Sequence, residues 1–171
     1  FVLVTGASGG MGKSAVNSLI NNGYAVIALD KVALEKQENL FPVQVDLTNE
    51  QSVVNAFSVV KEITNELHAI VHFAGIYALD SLVEIDEESF VRIFNVNLFG
   101  AYRVNKIFLP LLKKGSRIVV TTSELAPLSP LPFTGLYAIT KSALDKYAYS
   151  LRMEVQLLDI YVSVLRPGAV K

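Results

Sequence analysis

Tyr137 and Lys141 stand four residues apart in "YAITK", so on a helix the phenol and the ammonium lie one turn apart on one face. A free tyrosine titrates at about 10, too high for a base at neutral pH, and a neighbouring cation favours its phenolate. The pair therefore has the makings of an acid/base and its tuner. Such a pair suits proton transfer at a carbinol or carbonyl oxygen, matched to hydride transfer by a bound carrier. Two residues at this spacing recur by chance on many helices, so the remaining chain has to supply a seat for carrier and substrate.

A seat for the carrier is written near the start. "TGASGGMG", residues 5–12, lies between an apolar run and a stretch of helical period, with Gly6, Gly10 and Gly12 in the spacing G-x3-G-x-G. Glycines there permit a tight turn and bring backbone N–H groups close to a pyrophosphate at a helix N-terminus. Ala7 and Ser8 are small and leave the mouth of the loop open. Lys13 follows the loop, but no G-K-[ST] stands at Walker spacing, which excludes a P-loop. Asp30 closes the second apolar run, where a carboxylate accepts hydrogen bonds from an adenine-ribose diol and repels a 2′-phosphate. That favours NAD, while Lys13 and Lys31 leave NADP open. Asp46 closes the third run in "VDLT" and has two readings, a place under the adenine or a cap for the turn it precedes.

These residues need elements to hold them. Short apolar runs ("FVLVT", "YAVIALD", "FPVQVD", "HAIVHFAG", "RIVVTTS" and "IYVSVLRP") alternate with helical stretches at 11–22, 49–65, 87–113 and 135–158. Nearly continuous apolar strands are those of a parallel sheet covered on both faces. The alternation predicts an α/β, Rossmann-like, doubly wound parallel sheet in three layers with right-handed crossovers. In "DLTNEQSVVNAF", Thr48 or Asn49 can cap a helix whose first turn holds Glu50, and Leu109-Pro110 and Gly115 disturb the end of the third helix. Of 171 residues, 51% are hydrophobic and 18% charged, so a disordered chain is excluded and one domain over 1–171 is expected. A net charge of −1 without a basic run argues against nucleic-acid partners and anionic membranes. No cysteine is present, which makes a cytoplasmic location the expectation and removes thiol-based metal sites. No apolar run reaches the roughly 18 residues that span a bilayer. His68 and His72 share one strand region without an acidic ligand set, so they read as structural and no metal site is expected.

The glycine loop, "NVNLFG" at 95–100, "VVTTS", "YAITK" and "RPG" follow in that order, and here the chain resembles the short-chain dehydrogenase/reductase family from Phe1 to Lys171. The resemblance implies that Tyr137 is the acid/base and that Lys141 lowers its pKa and binds the nicotinamide ribose. It further implies that Ser123 orients the substrate oxygen, with Thr122 the alternative hydroxyl, and that Asn97 positions a water in a relay towards Lys141. For the cofactor it implies Gly6, Ser8, Gly9, Gly10, Met11 and Gly12 at the pyrophosphate, Asp30 at the ribose, and Asp46 with Leu47 at the adenine. Ala74 and Gly75 would border the cofactor, and Pro167, Gly168 and Val170 would meet the nicotinamide carboxamide. The family's usual Asn before Ala-Gly is Phe73 here, which removes an amide expected to tie adjacent strand ends together.

Leu125, Leu128, Leu131, Pro132 and Phe133 either form an apolar mouth over the reacting carbon or pack their own loop. A mouth reading predicts a hydrophobic alcohol or carbonyl compound as the small-molecule substrate. The family's segment after "PG", which completes the pocket, is missing from this stretch. The resemblance also implies a homodimer or homotetramer through the amphipathic helices, with Tyr147, Tyr149 and Leu151 as outward candidates. The competing classes are a non-catalytic dinucleotide-binding regulator and a sugar epimerase or dehydratase with bound NAD.

Overall fold

The computed structural model describes residues 1–129 and 131–169; the expected carboxamide contact at Val170 lies outside them. Six parallel strands form one sheet in the order β3-β2-β1-β4-β5-β6. The strands are β1 (Val2–Thr5), β2 (Val26–Asp30), β3 (Leu40–Gln44), β4 (Leu67–His72), β5 (Leu112–Thr121) and β6 (Tyr161–Leu165). Each overlaps one of the apolar runs, although β5 begins five residues before its run, and β1 and β2 are buried almost end to end, which explains why they do not alternate. The order reverses between β1 and β4, and the crevice at that switch point is where an open α/β sheet holds a ligand.

Helices α1 (Gly10–Asn21), α2 (Glu50–Ile63), α3 (Glu87–Phe94), α4 (Gly100–Phe108) and α5 (Gly135–Val155) join the strands. One face of the sheet buries Leu3, Ile27, Leu29 and Ile70 against Val53 and Val60 of α2, Val104 and Phe108 of α4, and Leu144 and Ala148 of α5. The other face buries Val2, Val4, Val26 and Ala28 against Val16 of α1. Helix layers therefore lie on both faces, as the alternating pattern predicts. The second layer is thin beside β6, where Tyr161 and Leu165 stand 56% and 44% exposed.

Helix starts follow short-range chemistry. Asn49 caps α2 by accepting Ser52 N–H at 3.1 Å, and Asp86 caps α3 by accepting Ser89 N–H at 2.8 Å. The single helix expected over 87–113 is instead four pieces. A π turn, Asn95–Phe99, separates α3 from α4, and a 3₁₀ turn at Leu109–Leu111 ends the run just before β5 begins at Leu112. Pro110 explains the second break, since it has no N–H to continue the ladder. The first break coincides with the expected site residue Asn97. No described helix is long and apolar enough to cross a membrane.

Candidate active site

The loop after β1 is shaped by two glycines that accept no substitute. Gly6 has φ +67°, and a β-carbon on it would lie 2.5 Å from Ala74 N. A β-carbon on Gly12 would lie 2.0 Å from the Gly6 carbonyl oxygen, so the first turn of α1 can pack on the loop only without a side chain. Gly9 and Gly10, by contrast, are exposed, with nothing within 4 Å of a β-carbon at Gly10. No side chain caps α1 and its first turn holds no acidic residue, unlike α2 and α3. Its positive end therefore faces outward with uncapped N–H groups, and this fits a dinucleotide pyrophosphate.

A cavity of about 450 Å³ opens over this loop, bordered by Gly6, Ser8, Gly9, Asp30, Asp46, Leu47, Ala74 and Gly75 among the expected residues. Asp30 already serves the chain: one oxygen accepts Ser8 N–H at 2.8 Å and the other accepts Val32 N–H at 2.9 Å. The carboxylate is thus fixed at the strand end. Asp46 takes the turn reading, accepting both the N–H (2.9 Å) and the hydroxyl (2.6 Å) of Thr48, while it also borders the cavity. Those Thr48 hydrogen bonds, ahead of Lys31 at 3.2 Å, hold its carboxyl below the usual carboxylate range. Arg92 and Val96 complete this wall. Neither stood out in the sequence, because only the fold carries α3 and the turn after it to the groove.

The seam between nucleotide and catalytic ends lies at the exit of β4. Phe73 borders both cavities and packs against the α1-side core, so no amide ties the strand ends there. His72 supplies the tie instead. Its Nδ1 is 3.4 Å from Thr5 Oγ1 and its Nε2 is 2.8 Å from Asn105 Oδ1, and Asn105 Nδ2 donates to Tyr147 Oη at 3.1 Å. Burial pushes this histidine down to about 4, so it is neutral at physiological pH. Tyr147 is therefore partly buried and bonded inward, not an outward candidate; Tyr149 is 39% exposed.

A second cavity, also about 450 Å³, shares Phe73, Gly75 and Ile76 with the first. It collects Met11, Ser123, Tyr137, Lys141, Pro167 and Gly168 from four separate segments of the chain. Lys141 is 5% exposed and donates from Nζ to the Thr121 carbonyl at 3.1 Å, with Nζ 5.7 Å from the Tyr137 ring centre. Burial pulls its ammonium down to about 8. Tyr137 departs from expectation. Burial raises its phenol above the ordinary tyrosine value, the Ser123 hydroxyl acts in the opposite direction, and the lysine does not lower it. The cation is directed at a backbone carbonyl, not at the phenol.

Ser123 and Thr122 are both buried past the end of β5. The Thr122 hydroxyl donates to Asp145 at 3.1 Å and lies 3.2 Å from the Leu165 carbonyl, whereas the Ser123 hydroxyl accepts Leu125 N–H at 3.2 Å and stands beside the Tyr137 phenol. Asn97, 1% exposed, accepts Ile76 N–H and donates to Ile76 O and Thr140 Oγ1 at 2.8 to 3.0 Å. Its side chain thus pins the segment after β4 to α5, and it borders neither cavity. Gly10 and Gly12 border neither cavity as well.

Of the five apolar loop residues, only Leu125 borders the catalytic cavity; Leu128, Leu131 and Phe133 are 58%, 66% and 62% exposed. Ile76, Tyr77, Thr121, Glu124 and Ala169 also line this wall, and the sequence singled out none of them. Tyr77 meets the Tyr137 ring edge to face, with centres 4.7 Å apart. Its only sequence signal was an aromatic two residues past Ala-Gly. Among the described residues no group of three or more acidic or histidine side chains could hold a metal.

Fold and site together define a Rossmann-like α/β scaffold with two adjoining cavities at the switch point of its sheet, and comparison with known proteins narrows that class. The family profile described as short chain dehydrogenase matches residues 1–171, and this chain belongs to that family. It is 35% identical to mouse estradiol 17-beta-dehydrogenase 2, over 99% of this chain and 48% of that protein. It is 29% identical to the NADPH-dependent 1-acyldihydroxyacetone phosphate reductase of Schizosaccharomyces pombe, over 100% of this chain and 60% of the relative. The solved structure of a short chain dehydrogenase family protein from Francisella tularensis superposes with a TM-score of 0.92 at 30% identity, covering 99% of this chain and 69% of that one. The chain thus spans about half to three-fifths of the length of these two curated relatives.

Proposed function

We propose that the protein interconverts an alcohol and a ketone or aldehyde, with a dinucleotide lying along the two joined cavities and Tyr137 as the acid/base. One observation carries this reading. The uncapped glycine loop and Asp30 border one cavity, Tyr137, Lys141 and Ser123 converge on the other, and the two share Phe73, Gly75 and Ile76 as walls. A bound nicotinamide would supply or accept the hydride. In the reducing direction the Tyr137 phenol gives its proton to the carbonyl oxygen while the Ser123 hydroxyl donates a hydrogen bond to the same oxygen. Lys141 takes part through its proximity to the ring and through its ability to lose a proton near neutral pH. Asn97 fixes the backbone at Ile76, on the rim shared by both cavities.

The fixed Asp30 carboxylate favours NAD, and the NADPH dependence in the name of the yeast relative keeps NADP within the reading. Leu125, Tyr77, Ile76 and Met11 on the catalytic wall suit a hydrophobic substrate, in keeping with the steroid and lipid substrates in the names of the two relatives. A single dinucleotide-binding domain over 1–171 and a homodimer or homotetramer belong to the same proposal. The test is a panel of apolar ketones and alcohols given to full-length protein with NADH, NADPH and their oxidised forms, followed at 340 nm. Turnover of at least one apolar compound is expected. Tight cofactor binding with no turnover across the panel would replace this reading with that of a dinucleotide-binding regulator.

A further inference from the structure

Tyr137, Lys141 and Asp145 occupy successive turns of one face of α5, and each meets the exit of β5. Lys141 Nζ donates to the Thr121 carbonyl at 3.1 Å, Thr122 Oγ1 donates to Asp145 Oδ1 at 3.1 Å, and Ser123 is the hydroxyl beside the Tyr137 phenol. Asp145 then reaches a third element. Arg166 Nε donates to Asp145 Oδ1 and Arg166 Nη2 to Asp145 Oδ2, both at 2.8 Å, and Nη2 also donates to Tyr149 Oη at 3.2 Å. Arg166 directly precedes the Pro167-Gly168 turn on the catalytic wall. Two backbone bonds close the same junction, Thr122 N–H to Leu165 O at 2.8 Å and Glu124 N–H to Pro167 O at 3.1 Å.

Neither Asp145 nor Arg166 borders the cavity, so neither can touch substrate or cofactor from where it sits. A two-pronged guanidinium–carboxylate contact fixes direction as well as distance. Such a pair with one member 37% exposed adds little to overall stability. Its value lies in alignment: one carboxylate joins the strand end before Ser123, the helix of Tyr137 and Lys141, and the turn at Pro167-Gly168.

We propose that Asp145 and Arg166 are positioning residues that set the Pro167-Gly168 turn and Ser123 against the Tyr137 helix, so that the nicotinamide end of the cleft depends on them and the adenosine end does not. The inference rests on the dehydrogenase reading above. Its test uses full-length protein and two ligands, NADH and ADP-ribose, titrated by calorimetry alongside kcat and KM. In Asp145→Asn, NADH affinity is expected to fall about tenfold, the loss of one charge-assisted hydrogen bond, with ADP-ribose affinity within about twofold of wild type. For a misalignment approaching 1 Å, kcat is expected to fall by up to about 10²-fold. Arg166→Lys keeps the charge without the fork and should reproduce most of both losses. If Asp145→Asn does not fold, Arg166→Lys decides alone. Equal weakening of both ligands would mean general loosening and would overturn the inference, as would wild-type values throughout. Wild-type protein that binds neither ligand would overturn the dinucleotide reading and this inference together, whereas wild-type binding of both with unaltered variants removes this inference alone.

Discussion

The nucleotide end and the catalytic end of the cleft are made from different material. At the nucleotide end the key contacts all involve backbone: the Gly6 turn against Ala74, the close approach of Gly12 to the Gly6 carbonyl, and the Ser8 and Val32 amides on the Asp30 carboxylate. At the catalytic end they are side-chain contacts between distant segments, such as Asn97 to Thr140, Thr122 to Asp145, and Lys141 to Thr121. Backbone geometry needs only the correct small residues in a row, whereas a side-chain constellation exists only after the sheet has brought its segments together. Damage to the first end should therefore change affinity before rate, whereas damage to the second should change rate, with affinity following only where the nicotinamide contacts shift.

The largest effect would separate the two ends cleanly. Tyr137→Phe is expected to lower kcat by about 10²- to 10⁴-fold, the usual size of a general acid/base contribution, with NADH binding intact by fluorescence titration. Near wild-type turnover in that variant would remove Tyr137 from the proposed role. Gly12→Ala should do the opposite, because its methyl group meets the Gly6 carbonyl at a forbidden distance. It should cost about 1–3 kcal/mol in denaturant unfolding, as overpacking does, and should weaken NADH binding before it alters chemistry.

Lys141→Met sharpens the contrast through pH. The buried ammonium titrates at about 8 in the folded chain against about 10.5 unfolded, so between those values the unfolded chain holds more protons. Stability should then rise as pH increases from 8 to 10.5, and below 8 the full penalty of burying the charge applies. Removal of the charge should raise stability at pH 7 by about 1–2 kcal/mol, with the gain gone above pH 10.5, while turnover is lost. Thermal melts across that range would expose the sign. A melting point that fell at pH 7 would show that the Thr121 contact outweighs the burial penalty. The smallest effect belongs to Asp30→Ala, which should narrow the ratio of NADH to NADPH affinity by a few-fold, about 1 kcal/mol. An unchanged ratio would place Asp30 away from the ribose.

What could be read from residues alone follows the same division. The six strands, the glycine loop and Tyr137 with Lys141 were all visible, because each is a local pattern of period, spacing or residue type. The layout of the third helix was not, since nothing in "FVRIFNVNLFGAY" announces a π turn. The substitution at Phe73 suggested a lost tie, yet its replacement runs from His72 to Thr5 and Asn105, 67 and 33 residues away. Arg166 opens the "RPG" motif but drew no role of its own, Asp145 carried no motif, and their meeting depends on the register of β6 beside β5. Tyr137 and Lys141 were legible as a pair one helical turn apart, but the direction of the phenol's shift was not, because it is set by burial, which outweighs the Ser123 hydrogen bond, while Lys141 turns to the Thr121 carbonyl.

The wide turn at Asn95–Phe99 has a mechanical consequence. Each residue of an α-helix advances the side-chain direction by about 100°, so one added residue offsets everything beyond it by that angle. The offset lets a nearly continuous rod aim the Asn97 amide at the cleft rim and, a few residues on, Phe108 and Asn105 at the sheet. Excision of a single residue from 95–99 other than Asn97 would swing α4 out of phase with α3, uncoupling His72 from Asn105 with Tyr137, Lys141 and Ser123 unsubstituted.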